Sequence, residues 1–107
     1  MIFAIDFDGT IVENKYPEIG RLNEEMADFI YQLKEKGHTW ILWTSRCKED
    51  LQRAVQFLTV NGMKPDYVNE NTKENLQVFT DNPKKIFADV YIDDRNAGGL
   101  VIPWDII

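Results

Sequence analysis

Apolar positions arrive along this chain in two rhythms: short unbroken runs, and longer stretches in which they recur every three or four residues. The first run, Ile2 to Phe7, is apolar at nearly every position, as expected for a strand buried on both faces. Asp8-Gly9-Thr10 is a turn signal that ends it. Residues from about Asn14 to Gly20, including Tyr16-Pro17, read as a loop. The rhythm then changes. Leu22, Met26, Phe29, Ile30 and Leu33 draw one apolar stripe at helical spacing, and Gly37 stands where a C-terminal cap belongs. Thr39 to Thr44 is β-branched, aromatic and continuous, and predicts a second buried strand. A second helix is predicted from about Glu49 to Asn61, with Leu51, Ala54, Val55 and Leu58 on one side. Pro65 to Val68 reads as a short third strand and Ala88 to Ile92 as a fourth, and a final apolar piece follows at Leu100 to Ile102. Between the last two strands the pattern is weak: Glu74 to Phe79 reads equally as a helical turn or an extended piece, and Asp81-Asn82-Pro83 is a turn.

Strands that alternate with helices imply βαβ units, hence a mostly parallel sheet covered by helices. Ligands of such sheets bind outside the carboxyl ends of the strands, so the residues there carry the chemistry. The first strand ends in Asp6 and Asp8, the second in Thr44-Ser45-Arg46, and the fourth in Asp93-Asp94. Acids converging on one rim repel one another by several kcal/mol unless a cation is present. An all-oxygen donor set suits Mg²⁺ rather than zinc, so the pattern predicts a magnesium site. Asp6 and Asp8 are two apart, which matches the period of a strand, and Gly9 permits a sharp turn after them.

Composition narrows the picture. A chain of 107 residues suits a single domain, 1–107, that buries roughly 65% of its unfolded surface without disulfide or metal staples. One cysteine, Cys47, cannot form an internal disulfide, which favours a reducing compartment. With no signal-peptide pattern and no apolar run long enough to span a bilayer, the expected location is the cytoplasm, away from membranes. A formal net charge of −6 argues against a nucleic-acid partner, because binders of that kind present a basic face.

Asp6-Phe7-Asp8-Gly9-Thr10 resembles the first motif of the haloacid dehalogenase (HAD) superfamily, Asp-x-Asp-x-Thr after the first strand. Ile41-Leu42-Trp43-Thr44 is similar to its second motif, and Val90-Tyr91-Ile92-Asp93-Asp94 to its fourth. The order is that of the family and the match spans most of the chain. The resemblance implies a three-layer α/β/α Rossmann-like fold and a Mg²⁺-dependent phosphohydrolase. Asp6 would be the nucleophile that becomes an aspartyl-phosphate, and Asp8 the general acid and then base. Thr44 would bond a phosphoryl oxygen. Metal would be held by Asp6, the backbone carbonyl of Asp8, and Asp93, with Asp94 acting through water or orienting the site. Gly9, Thr10, Ser45 and Arg46 would surround the phosphate. An acid at position 8 sides with phosphatases and phosphomutases rather than transport ATPases, which carry Thr there.

The family's third motif, a lysine, has three candidates in Lys73, Lys84 and Lys85; Lys85 is favoured because it stands just before the fourth strand. Arg46 and Arg95 each follow a strand end and could reach a substrate anion or make a surface ion pair. His38, at the opposite rim, reads as structural, Cys47 as inert, and the three tryptophans as packing residues. The loops are too short to hold a cap domain, so the fold is expected to be capless with an open site, closed at most by a flap carrying Tyr16-Pro17 or by a second copy of the chain. The partner is a phosphorylated substrate whose identity nothing in the sequence selects. Two other readings remain. A receiver-type phosphoacceptor domain would need an Asp at the end of the third strand, where Val68-Asn69-Glu70 stands. The other is a catalytically silent module of the same fold.

Overall fold

The computed structural model describes residues 1–79 and 81–107. Four strands, β1 (Ile2–Ile5), β2 (Thr39–Leu42), β3 (Tyr67–Val68) and β4 (Val90–Ile92), form one sheet in the order β3-β2-β1-β4. All three pairings are parallel. The helices are α1 (Glu24–Glu35), α2 (Lys48–Val60) and α3 (Lys73–Val78). Successive parallel strands moving one way from β1 and then back across it, with right-handed crossovers, put α1 and α2 on one face and α3 on the other. The fold is therefore the mostly parallel, Rossmann-like α/β architecture that the strand-helix alternation predicts, without a cap. Among the described residues no helix is long and apolar enough to cross a membrane.

The pleat sorts the side chains. Phe3 pairs with Trp40 and Val90, and Ile5 with Leu42 and Ile92, so these residues share the face that α1 and α2 cover. There they join Met26, Phe29, Ile30 and Leu33 of α1 and Ala54 and Leu58 of α2 in one core. Phe3 and Phe29 meet edge to face at 5.8 Å. Each such buried side chain contributes about 1.5–3 kcal/mol relative to exposure. The other face carries Ala4, Ile41 and Tyr91, with Trp43 beside Tyr91 at 5.2 Å. Tyr91 anchors the chain that crosses this face: its hydroxyl donates to the Ile86 carbonyl at 2.6 Å and accepts from the Ala88 amide at 3.1 Å.

Several boundaries shift for identifiable reasons. β1 stops at Ile5 rather than Phe7, although the Asp6 amide still donates to the Ile92 carbonyl at 3.0 Å. Leu22 lies outside α1, because Asn23 caps that helix by accepting from the Met26 amide. Leu22 instead forms an antiparallel bridge with Val12. With Glu13 donating to the Arg21 carbonyl at 2.8 Å, this makes a two-armed flap whose tip is the 14–20 loop. Gly20 lets the arms approach: a β-carbon there would lie 2.1 Å from the Glu13 carbonyl oxygen. The segment with two readings, Glu74 to Phe79, is mostly helix, capped by Thr72 through the Asn75 amide. The final apolar piece is no strand: Leu100 and Ile102 pack on the core, and a 3-10 turn at Trp104–Ile106 lays Trp104 edge-on against Phe29 at 5.3 Å. His38 starts near β2 at the far rim and packs edge-on against Phe3.

Candidate active site

The turn after β1 is wound around one carbonyl. The amides of Thr10, Ile11 and Val12 all donate to the Phe7 oxygen, and the Gly9 amide closes the loop on the Val12 oxygen at 2.8 Å. Phe7 is fully buried against Phe57 of α2, so the residues on either side of it, Asp6 and Asp8, are left at the rim. Gly9 adopts φ +87°, and a β-carbon there would lie 2.4 Å from an Asp94 carboxylate oxygen. Only glycine lets the first-strand turn and the fourth-strand acids come this close.

Thr10 joins them. Its buried hydroxyl donates to Asp6 Oδ2 at 3.2 Å and accepts from the Asp94 amide at 3.0 Å. Carboxylate oxygens of Asp6, Asp93 and Asp94 lie within 4.8 Å of one another. The crowding shows in protonation: the Asp6 carboxyl is raised from 3.8 to about 7, first by burial and next by the negative charge of Asp93, against the opposing Thr10 hydrogen bond.

At the end of β2, the Asn69 side-chain amide accepts from the Thr44 amide and donates to the Thr44 carbonyl, both at 2.9 Å. Thr44 Oγ1 accepts from the Arg46 amide at 3.1 Å, which leaves its hydroxyl proton to donate elsewhere. Asp6, Asp8, Thr44, Ser45, Arg46 and Asp93 line one cavity of about 640 Å³, together with Asn14 and Tyr16 of the flap and Arg95.

The family model of haloacid dehalogenase-like hydrolases matches residues 3–93, which spans β1 to the end of β4. The chain belongs to that family. A solved structure described as a conserved protein from Bacteroides thetaiotaomicron is similar to this HAD-like hydrolase, with a TM-score of 0.84 and 38% identity. It is matched over 94% of this chain and 81% of the other. Among curated proteins none matches.

Within this HAD-like hydrolase, four of the expected site residues stand differently from the expectation. Gly9 and Thr10 do not line the cavity with Asp6; they lie behind it, where the Thr10 hydroxyl is spent on Asp6 and Asp94. Arg46 is buried, and its guanidinium makes five hydrogen bonds: two to Asp8, at 2.8 Å each, and one each to the carbonyls of Pro17, Asp50 and Glu18. A guanidinium has five N–H groups, so none is left for a substrate anion. The hydrogen bonds it donates to Asp8 push the Arg46 pKa up. Lys85 is exposed and lines a different cavity with Phe87 and Tyr91, and Lys84 lines another with Asn69 and Asn71. Lys73 starts α3. Among the described residues, then, the cations lining the acidic cavity are Arg46 and Arg95. Cys47 is exposed at the start of α2.

Asn69 was missed by sequence reasoning. Its signal was its place: it directly follows β3, on the same rim as the acids. The sequence shows the charge of Arg46, and only the fold shows that this charge answers Asp8.

Proposed function

We propose that this hydrolase is a Mg²⁺-dependent phosphomonoesterase working through a phosphorylated Asp6, on a phosphorylated small molecule or macromolecule. The observation that carries the reading is the meeting of Asp6, Asp93 and Asp94 within 4.8 Å, in a cavity that also presents Asp8 and Thr44. The donor set fits the metal: three carboxylates, all oxygen, with no histidine or thiolate among them. A cation there would also relieve the Asp6 carboxyl, which holds its proton to about 7 through burial first and the charge of Asp93 second.

Asp6, Asp93 and Asp94, with the Asp8 backbone carbonyl, would hold Mg²⁺, which would neutralise charge between the nucleophile and the phosphoryl group. Thr10 fixes the Asp6 carboxylate by donating to Oδ2, so the nucleophile is oriented before substrate arrives. Asp6 attacks phosphorus, the bond to the leaving oxygen breaks, and an acyl phosphate of Asp6 results. Asp8 gives a proton to the leaving oxygen and then takes one from the water that hydrolyses the intermediate. Thr44 donates its hydroxyl proton to a phosphoryl oxygen, held in place by Asn69 behind it. The open rim admits large phosphate esters, with Asn14 and Tyr16 forming one wall. A receiver-type role would require a phosphoacceptor after β3, and Asn69 there is engaged with Thr44.

The test is phosphate release from p-nitrophenyl phosphate and a panel of phosphate esters, with Mg²⁺ and with EDTA. Turnover that requires Mg²⁺ and disappears in Asp6→Asn is expected. Wild type and Asp6→Asn equally inactive across the panel would overturn the proposal.

A further inference from the structure

Arg46 is the most completely engaged side chain at this site, and its engagement joins three separate parts of the chain. Nε and one terminal nitrogen clasp both carboxylate oxygens of Asp8 at 2.8 Å. The remaining N–H groups hold the flap tip through the carbonyls of Pro17 and Glu18, and the first turn of α2 through the Asp50 carbonyl. The guanidinium carbon also lies over two rings, 5.2 Å from the Phe7 centroid and 5.1 Å from that of Tyr16. Tyr16, in turn, donates its hydroxyl to Asp50 Oδ2 at 3.0 Å. A flat fork with five donors and two stacking faces is a property of arginine that lysine cannot copy.

We infer that Arg46 is a positioning residue that makes Asp8 and the flap tip one rigid unit, rather than a ligand of the phosphoryl group. Two consequences follow. Asp8 has both oxygens fixed by a bidentate pair, so the direction in which it can exchange a proton is set before substrate binds. The flap, which supplies Asn14 and Tyr16 to the cavity, is a fixed wall and not a mobile lid, because moving it would strip two carbonyls and a ring from a buried cation. The Asp8 half of this inference rests on the phosphatase reading given above; the flap half does not.

The experiment therefore has two readouts. The first is independent of catalysis: trypsin cleavage after Lys15, an exposed flap residue, followed by mass spectrometry. Wild type is expected to resist. Arg46→Lys is expected to be cut at least about tenfold faster, the loosened loop being the substrate of the protease. Asp8→Asn, at a side chain whose hydrogen bonds among the described residues go to Arg46 and not to the flap tip, is also expected to speed cleavage, because it weakens the clasp from the other side. That variant tests the coupling even if Arg46→Lys folds poorly. Unchanged cleavage in Asp8→Asn overturns the inference whatever the enzyme's activity.

The second readout is kinetic. Arg46→Lys and Arg46→Gln are expected to lose kcat alike, by roughly 10²-fold as for a misplaced catalytic group, with little change in the inhibition constant of inorganic phosphate. In the Asp8→Asn background, Arg46→Lys is expected to cost no further kcat, since the group it positions is already gone. Rescue by lysine relative to glutamine, with weaker phosphate inhibition in the latter, would instead make Arg46 a phosphate ligand and overturn the proposal. No phosphatase activity in wild type would sink the phosphatase reading and remove the Asp8 half of the inference, while the cleavage experiment would still decide the flap half.

Discussion

Asp6→Asn is expected to do two opposite things: abolish turnover and stabilise the metal-free protein. The Asp6 carboxyl stands near 7 against 3.8 in an ordinary setting, mainly through burial and secondly through Asp93. At about 1.36 kcal/mol per pH decade this corresponds to an upper bound of about 4 kcal/mol spent on ionising Asp6 in the fold. Asp6 is only half-buried, so water relieves part of this, and about 2 kcal/mol is a realistic figure. The sign follows from proton binding. Between about pH 4 and 7 the folded protein holds the proton more tightly than the unfolded chain, so stability falls as pH rises through that window and levels off above it. Asparagine carries no charge and still offers Thr10 an acceptor, so it escapes the penalty. Thermal unfolding followed by circular dichroism in EDTA should place Asp6→Asn about 8 °C above wild type at pH 8, taking ~4 °C per kcal/mol for a domain of this size. At pH 4 the two should nearly coincide. Added Mg²⁺ should raise the wild type and leave the variant almost unmoved. An Asp6→Asn protein no more stable than wild type at pH 8, or equally advantaged at both pH values, would refute the reasoning.

Three further outcomes are expected. Gly9→Ala forces a β-carbon into a positive φ and to within 2.4 Å of Asp94; it should cost about 1–3 kcal/mol in urea unfolding and weaken Mg²⁺ binding measured by calorimetry. Asn69→Gly keeps the backbone freedom needed at φ 52° but removes both bonds to Thr44; kcat for aryl phosphate should fall several-fold or more while the Tm drops by only a few degrees. Thr10→Val leaves the Asp94 amide without its partner, at about 1–3 kcal/mol. It also removes the hydrogen bond that holds Asp6 down, so the acidic limb of the metal-free titration, read by NMR, should move to higher pH.

How much of this was legible beforehand depends on what each residue answers to. β1 and β2 are apolar on both faces because helices cover one side and the β3–β4 crossover the other, so their runs stand out in sequence. The acids at the ends of β1 and β4 are legible for the same reason: in a parallel sheet all carboxyl ends share a rim. α3 had two readings because none of its residues is buried, which leaves no apolar stripe to read. Leu22 continues the spacing of α1 yet serves the flap, since the Asn23 cap overrides the periodicity. The role of Arg46 was illegible because its partners lie at Asp8, Pro17 and Glu18, contacts that exist only once the chain has folded. Thr10 reads as part of a phosphate loop in sequence, and only its burial shows that it faces the acids from behind.

The strand order has a bearing on how the protein is made. β1 is central, and one of its two neighbours is the last strand: Phe3 pairs with Val90 and Ile5 with Ile92. A nascent chain that has reached only β3 therefore holds β1 with one side unpaired, an apolar edge open to other chains. Closing that edge requires a contact spanning almost the whole sequence, the kind that slows folding most. The same closure carries Asp93 and Asp94 to Asp6. Sheet completion and assembly of the acidic site are thus a single late event, and no shorter intermediate can present the site without first having buried its own most adhesive strand.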